Sequence, residues 1–257
     1  MSKKPFFSII TCTYNRQDCL RDNIESVVSQ TYKNYEHIFI DANSTDNTVK
    51  IIKEYQKKYP SIIKFFQYFP KGISNAMNKG IKHSTGRYLI HLHSDDSLYS
   101  NKTLDSVFNF LKNNHFPDWI YGKAVFHNIV TNKTKIIPYR SVYYQVSHPL
   151  LLLTNYIPHQ ATFIKKKVFI KNGNFNESYK CAMDYEYWLR LSKLKVKSAF
   201  INEIICHYTI DENAQSYKNH NLSLQEMNEI RTKYTKFKPL GMFLNFLNQI
   251  RETKPSI

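Results

Sequence analysis

Phe7-Ser8-Ile9-Ile10-Thr11-Cys12-Thr13, leaving into Tyr14-Asn15-Arg16, is the stretch on which the fold turns. A short run of apolar, β-branched and aromatic residues ending in polar ones reads as a buried strand. Leu20, Ile24, Val27 and Val28 follow at i, i+4, i+7 and i+8, one face of a helix. Tyr35 to Ile40 is the next strand, closed by Asp41. Ser44 and Thr45 then offer hydroxyl caps for a helix carrying Val49, Ile52 and Tyr55. A third strand spans Ile62 to Tyr68, and a short helix runs from about Ser74 to Ile81. Tyr88 to Leu92 is a fourth strand, ending at His93-Ser94-Asp95-Asp96, and Leu104, Val107, Phe108 and Leu111 mark another helix. This alternation predicts an α/β fold: a Rossmann-like, mostly parallel central sheet with helices on both faces. Ligands of such a sheet collect at the C-terminal strand ends.

The second half is less regular. Trp119 to His127 and Lys135 to Tyr139, the latter broken by Pro138, read as strands, as do Ala161 to Ile164 and Ala199 to Tyr208. Asp184 to Leu194 and about Asn221 to Tyr234 carry helical patterns. With no repeat and no low-complexity linker, residues 1–215 read as one domain in two halves, about 1–115 and a less regular 116–215. Residues 216–257 form a helical tail in which Leu240, Met242, Phe243, Leu244, Phe246, Leu247 and Ile250 follow Pro239.

Composition narrows the partners. The 257 residues are 42% hydrophobic and 22% charged, a globular balance, and Lys+Arg exceed Asp+Glu by 36 − 20, a net charge of +16. Such an excess selects anionic partners, whether membrane surface, nucleic acid or phosphorylated small molecules. Cys12, Cys19, Cys181 and Cys206 show neither disulfide nor zinc spacing, which fits reduced thiols in the cytoplasm. Lys3, Lys4 and the short run after them make no signal peptide, and no stretch is long enough to span a membrane. Lys165-Lys166-Lys167 reads as a basic patch or as an ordinary solvated face.

The polar residues gather at predicted strand ends: Thr13-Tyr14-Asn15, Asp41, Asp95-Asp96 and, before a later helix, Asp184. Adjacent carboxylates after a buried strand either repel each other or share a cation. A divalent ion held by few carboxylates and by substrate phosphates would be Mg²⁺ or Mn²⁺.

Five segments, in order, resemble family 2 glycosyltransferases of the inverting, nucleotide-sugar-dependent, GT-A-fold type found in bacterial surface-polysaccharide synthesis. They are Ser8 to Arg16, Ile40 to Thr48, Lys71 to Gly80, Ser94-Asp95-Asp96, and His159-Gln160-Ala161-Thr162-Phe163 with Ala182 to Leu191. The resemblance implies that Thr13, Tyr14, Asn15, Asp41, Asn78 and Asp95 bind the nucleotide-sugar, with Asp41 accepting a hydrogen bond from uracil. It implies that Asp96 ligates Mn²⁺ or Mg²⁺ on the diphosphate, with His207 a further candidate ligand. It makes about 1–115 the nucleotide-sugar half and 116–215 the acceptor half, with His159 and Gln160 on the acceptor side and Asp184 the catalytic base. The expected activity is transfer of one hexose or N-acetylhexosamine from a UDP-sugar to a glycan or undecaprenyl-diphosphate-linked acceptor, in O-antigen, capsule or lipopolysaccharide synthesis. Many relatives have Asp at Asn75 and Asn at His93. The Gln-x-x-Arg-Trp motif of processive synthases is missing, which favours one sugar per acceptor. Arg190 pairs with a neighbouring carboxylate or a donor phosphate.

The competing class is a nucleotidyltransferase acting on a sugar phosphate. It would need a Gly-rich, basic triphosphate loop, which Thr13-Tyr14-Asn15-Arg16 is not. No nucleic-acid-binding motif accompanies the charge. The expected location is cytoplasmic, peripheral on the anionic inner face of the membrane, with the tail packing on the domain or lying in the interface.

Overall fold

A computed structural model describes residues 4–128, 131–138, 146–210 and 219–235. The chain opens with β1 (Phe7–Thr13), α1 (Leu20–Val28), β2 (Tyr35–Asp41), α2 (Thr48–Lys58), β3 (Ile63–Gln67), α3 (Ile73–His83) and β4 (Tyr88–His91). β5 (Ser97–Leu98) and α4 (Thr103–Asn113) lead into β6 (Trp119–Asn128), β7 (Lys133–Ile137) and α5 (His148–Leu153). A 3-10 turn over His159–Ala161 precedes β8 (Thr162–Lys165), α6 (Lys166–Asn172), α7 (Met183–Lys193), β9 (Ser198–Ile210) and α8 (His220–Tyr234).

The strands form one sheet in the order β3-β2-β1-β4-β8-β6-β9-β5, with β7 paired to β6. β3, β2, β1 and β4 run parallel, β8 is antiparallel to both β4 and β6, and β6 runs parallel to β9. Successive residues of the central strands serve opposite faces, and both faces are covered. Ile9, Ile90, Ile120 and Phe163 join a core closed by α1 and α4 through Val27, Leu104 and Val107. Their neighbours Ile10, Leu89, Trp119 and Ile164 join the opposite core, with Met77 of α3, Phe169 of α6 and Trp188 of α7. The winding reverses between β1 and β4, and in open α/β sheets the C-terminal strand ends at such a reversal are where ligands bind.

At the other end of β1 and β2 a buried carboxylate ties the sheet to the turn before β4. Glu36 accepts from Ser8 Oγ (2.6 Å), Thr85 N–H (2.6 Å) and Lys64 Nζ (2.5 Å). Burial alone would raise its pKa, but these donors outweigh it and hold the carboxyl below its ordinary value.

Some elements differ from expectation. The second helix begins at Thr48, and neither Ser44 nor Thr45 caps it. Ser44 Oγ donates to Asp41 Oδ1 instead (2.5 Å), and Asp46 Oδ1 accepts the Thr48 N–H (2.9 Å). The lysine run is a solvated face only at Lys167. Lys165 is buried, donating to Phe116 O (2.5 Å) and pairing with Asp118 (3.1 Å), Lys166 donates to Ser84 O, and Lys167 also reaches Asp118 (3.0 Å). Sequence periodicity misses β5, α5 and α6, which are too short or too lysine-rich to show a period. None of the four cysteines forms a disulfide. Tyr139 and the apolar tail segment from Pro239 lie outside the described residues.

Two glycines let backbone approach backbone or side chain. A Cβ on Gly86 would stand 2.5 Å from Ser8 Oγ, 2.7 Å from Ser8 N and 2.8 Å from Phe7 C, whereas one on Gly80 would meet mainly Ile10 Cγ2, at 2.2 Å. Strand backbone at Gly86 cannot move aside, whereas at Gly80, inside α3, alanine gains about 1 kcal/mol of helix propensity against the cost of displacing Ile10. Gly86→Ala is therefore expected to lose about 2–3 kcal/mol in urea unfolding, and Gly80→Ala about half that. Equal losses would contradict this account.

Candidate active site

Thr13 and Asp41 face each other in register at the ends of β1 and β2. Asp41 is fully buried, and four donors saturate its carboxylate: Thr13 Oγ1 (3.0 Å) and Ser44 Oγ (2.5 Å) on Oδ1, Ser44 N–H (2.9 Å) and Gln67 Nε2 (3.1 Å) on Oδ2. Asn15, in left-handed backbone at φ 50°, donates its N–H to Ser44 Oγ (2.9 Å) and accepts from Thr45 N–H (2.8 Å). The exits of β1 and β2 are thus one braced wall, with the Tyr14 ring exposed at its rim.

Beyond β4 the chain turns through His93-Ser94-Asp95-Asp96. Asn23, buried on α1, donates from Nδ2 to His93 O (2.8 Å) and Asp96 O (2.9 Å) and fixes this turn. Asp96 is buried. Its Oδ1 accepts Thr209 N–H from β9 (3.1 Å), and its Oδ2 lacks a well-formed hydrogen bond among the described residues. Burial drives its carboxyl well above the ordinary range and neighbouring Asp95 adds to this, while the Thr209 N–H and the Gln160 amide pull it back. A spare oxygen on a strained buried carboxylate suits a hard divalent cation such as Mg²⁺ or Mn²⁺. No group of three His, Cys, Asp or Glu among the described residues could hold an ion alone, so Asp96 would share it with substrate phosphates. His207 is half-buried, its ring packed on Tyr99 at 5.1 Å.

The 3-10 turn carries the site toward α7. His159 is buried, and neither ring nitrogen has a partner among the described residues. Its ring stacks on His93 (5.5 Å, 24°) and lies 6.0 Å from Trp188. Burial above all, then His91 and His93, hold it neutral, far below the ordinary histidine value. Trp188 stacks on Trp119 of β6 (5.2 Å, 8°), and Asp184 lies one turn before it on the same side of α7. Asp184 is the second residue of α7, not its N-cap, which is Ala182. Burial raises its carboxyl to about 6 against hydrogen bonds from Tyr185 N–H (2.7 Å) and the Asn155 side chain.

Asn78, expected in donor binding, has its amide on a neighbouring loop. Its Nδ2 donates to Phe175 O (3.0 Å) and Glu177 Oε1 (2.8 Å), and its Oδ1 accepts Phe175 N–H (3.1 Å), so the amide is spent on the loop before α7. Arg190 takes the carboxylate of the two partners left open for it, pairing with Glu186 at 2.7 Å and donating to the carbonyls of Asn172 and Asn174. Asn23 and Asn155 were not foreseen. Only the oddity of an Asn on the apolar stripe Leu20, Ile24, Val27 could have drawn attention to the first.

Residues 8–173, well over half of the chain, match the model of the family described as Glycosyl transferase family 2. The Bacillus subtilis minor teichoic acid biosynthesis protein GgaB is 31% identical over 84% of this chain, a match spanning 24% of that protein. A Mycobacterium tuberculosis PGL/p-HBAD biosynthesis glycosyltransferase is 27% identical, covering 79% of this chain and 77% of its own. In fold, the chain superposes on S. aureus TarS 1-349 in complex with UDP-GlcNAc with a TM-score of 0.70 at 16% identity, covering 93% of this chain and 70% of that one. The mannosyltransferase PcManGT from Pyrobaculum calidifontis, in complex with GDP-Man and Mn²⁺, gives 0.66 at 13% identity, over 100% of this chain and 77% of that one. The carboxylates at the β1–β4 reversal therefore sit in a GT-A-like frame, and the chain belongs to glycosyl transferase family 2 and is a glycosyltransferase.

Proposed function

We propose that the chain moves one sugar from a UDP-sugar to a hydroxyl of a glycan or lipid-linked acceptor, inverting the anomeric carbon, during cell-surface polysaccharide synthesis. The observation that carries this is Asp184: a half-buried carboxyl one turn before Trp188, which His159 links to the Asp95-Asp96 turn through His93, raised to about 6 and so matched to taking a proton near neutral pH. The names of the relatives point to surface glycans, and UDP-GlcNAc in a TarS structure points to the donor class.

In this reading the Thr13–Asp41 wall seats the nucleoside and Tyr14 borders the base. Uracil would have to displace one of the four donors on Asp41, most simply Gln67, the longest of them at 3.1 Å. Asp96, with Asp95 beside it, would hold Mg²⁺ or Mn²⁺, which when bound neutralises charge on the diphosphate. Asp184 takes the acceptor proton as the acceptor oxygen bonds to the anomeric carbon and the bond to the diphosphate breaks. The proton ends on Asp184 and the electron pair on UDP. His159, kept neutral with both nitrogens unpaired, offers a donor and an acceptor to sugar hydroxyls between the two carboxylates. The +16 charge suits work at an anionic cytoplasmic membrane face, to which no described helix contributes a span.

Asp184→Asn is expected to keep UDP affinity within about twofold while transfer falls by roughly 10² to 10⁴. The same change should raise stability. Because the folded pKa lies above the ordinary 3.8, ionised Asp184 opposes folding above pH 6 and not below 3.8. The variant should gain roughly 1–3 kcal/mol at pH 8, fading by about half near pH 5. A lower melting temperature at pH 8 would mean that Asp184 serves the helix terminus instead.

In the wild type, the rate at saturating substrate should fall about tenfold per unit as pH drops below 6. A flat profile between pH 5 and 8 would remove the base. Asp96→Ala should abolish transfer and the Mn²⁺-dependent part of UDP binding measured by calorimetry. Unchanged metal dependence would move the cation elsewhere.

A further inference from the structure

Three successive backbone N–H groups ahead of α7 converge on one side chain from the far end of the chain. Lys180 N–H donates to Glu226 Oε1 (2.8 Å), and Cys181 and Ala182 N–H donate to Oε2 (2.8 and 2.9 Å). Glu226 lies on α8 and is 7% exposed. The N-cap residue of α7, Ala182, has no side chain that could do this work, so a carboxylate from another helix does it. Successive N–H groups at a helix start form a site for negative charge, and Glu226 fills it.

The rest of α8 locks the same segment. Tyr179 OH donates to Glu229 (3.1 Å), Arg231 Nε to Tyr185 OH (3.2 Å), and Tyr234 OH to Glu186 (2.5 Å). These contacts bracket Asp184, from five residues before it to two after. The helix that sequence reading assigns to a tail is thus tied to the segment that carries the proposed base.

We infer that Glu226 is a positioning residue for the transfer reaction: it fixes the 180–182 backbone and so aims the Asp184 carboxylate. This rests on the reading of Asp184 as the base. A misplacement of about 1 Å at a reacting group can cost about a hundredfold in rate. Glu226 touches neither end of the site, so its loss should leave donor binding alone.

The test measures kcat, donor KM, UDP affinity and melting temperature for Glu226→Ala, Asp184→Asn and the double variant. Glu226→Ala is expected to lower kcat about ten- to hundredfold, with donor KM and UDP affinity within about twofold of wild type. Because Glu226 acts through Asp184, adding Glu226→Ala to Asp184→Asn should change the residual rate by less than about threefold. A kcat within about twofold of wild type per folded molecule, with Asp184→Asn inactive, would overturn the proposal and leave Glu226 a structural anchor. So would the same fold-loss in both backgrounds. Full turnover in Asp184→Asn removes the base assignment itself, and the proposal with it. If Glu226→Ala does not fold, Glu226→Gln replaces it. One acceptor oxygen cannot serve three donors on two oxygens, so kcat should still fall at least about threefold, and a wild-type kcat overturns the proposal.

Discussion

The stack of Trp188 on Trp119 is the contact on which the site depends. The proposed chemistry puts a carboxylate on each side of the transferring sugar, and the two candidates come from different elements of the fold. Asp96 hangs from the sheet, and Asp184 rides on α7. Both indoles are fully buried, with centroids 5.2 Å apart and planes within 8°, and Trp119 Nε1 is held by Val196 O at 3.2 Å. Such a pair adds about 0.5–1.5 kcal/mol beyond its buried area, but its use here is geometric. It sets how far α7 stands from β6. His159, wedged between Trp188 and His93, transmits that spacing to the Asp95-Asp96 turn.

The three buried or half-buried carboxylates of the site show how one residue type serves three ends. Asp41 meets four donors and is at rest. Asp96 meets fewer, lies beside a second carboxylate and keeps one oxygen without a good partner. Asp184 has a backbone N–H and an amide, too little to offset its burial. The first is built like a structural wall, and the other two are held in states that a cation or a proton would relieve. A protein carrying +16 does not soften this, because its lysines are tied elsewhere or lie on its surface, and no ion pair among the described residues involves Asp96 or Asp184. Sites that act on charge are kept uncomfortable at some cost in stability.

The first half of the fold was legible because β1, β2 and β4 are buried on both faces and so are dominated by β-branched and aromatic residues, and the helices between the strands keep one clear stripe each. Boundaries slipped by a few residues where a polar side chain had a better partner than expected. Ser44 was read as a helix cap, yet the Asp41 carboxylate 2.5 Å away claims its hydroxyl. Lys165 was read as surface, although Phe116 O and Asp118 hold it inside. Of the site, residues at strand ends could be placed from sequence, since a carboxylate at the end of a buried run has few other locations. Residues that serve backbone groups could not. Asn23 and Glu226 bond to main-chain atoms far away in sequence, and no local pattern marks such a bond. Asn78 shows the reverse case: a motif position whose amide turns to a loop.

The segment from Phe175 to Asp184 is held from two sides, and this gives Asn75 a physical reason. On one side α8 grips residues 179 to 182. On the other, α3 grips residues 175 to 179: Ser74 Oγ donates to Tyr179 O (2.8 Å), Asn78 brackets Phe175, and Asn75 and Asn78 each donate to one oxygen of Glu177 (2.9 and 2.8 Å). Those two amides, with Lys79 and Lys71 near by, hold Glu177 below its ordinary carboxylate value. An aspartate at position 75 could not donate, and its charge would face that of Glu177. Asn75 and Glu177 therefore form a matched pair, and the asparagine that departs from the family pattern helps to hold the segment leading to Asp184.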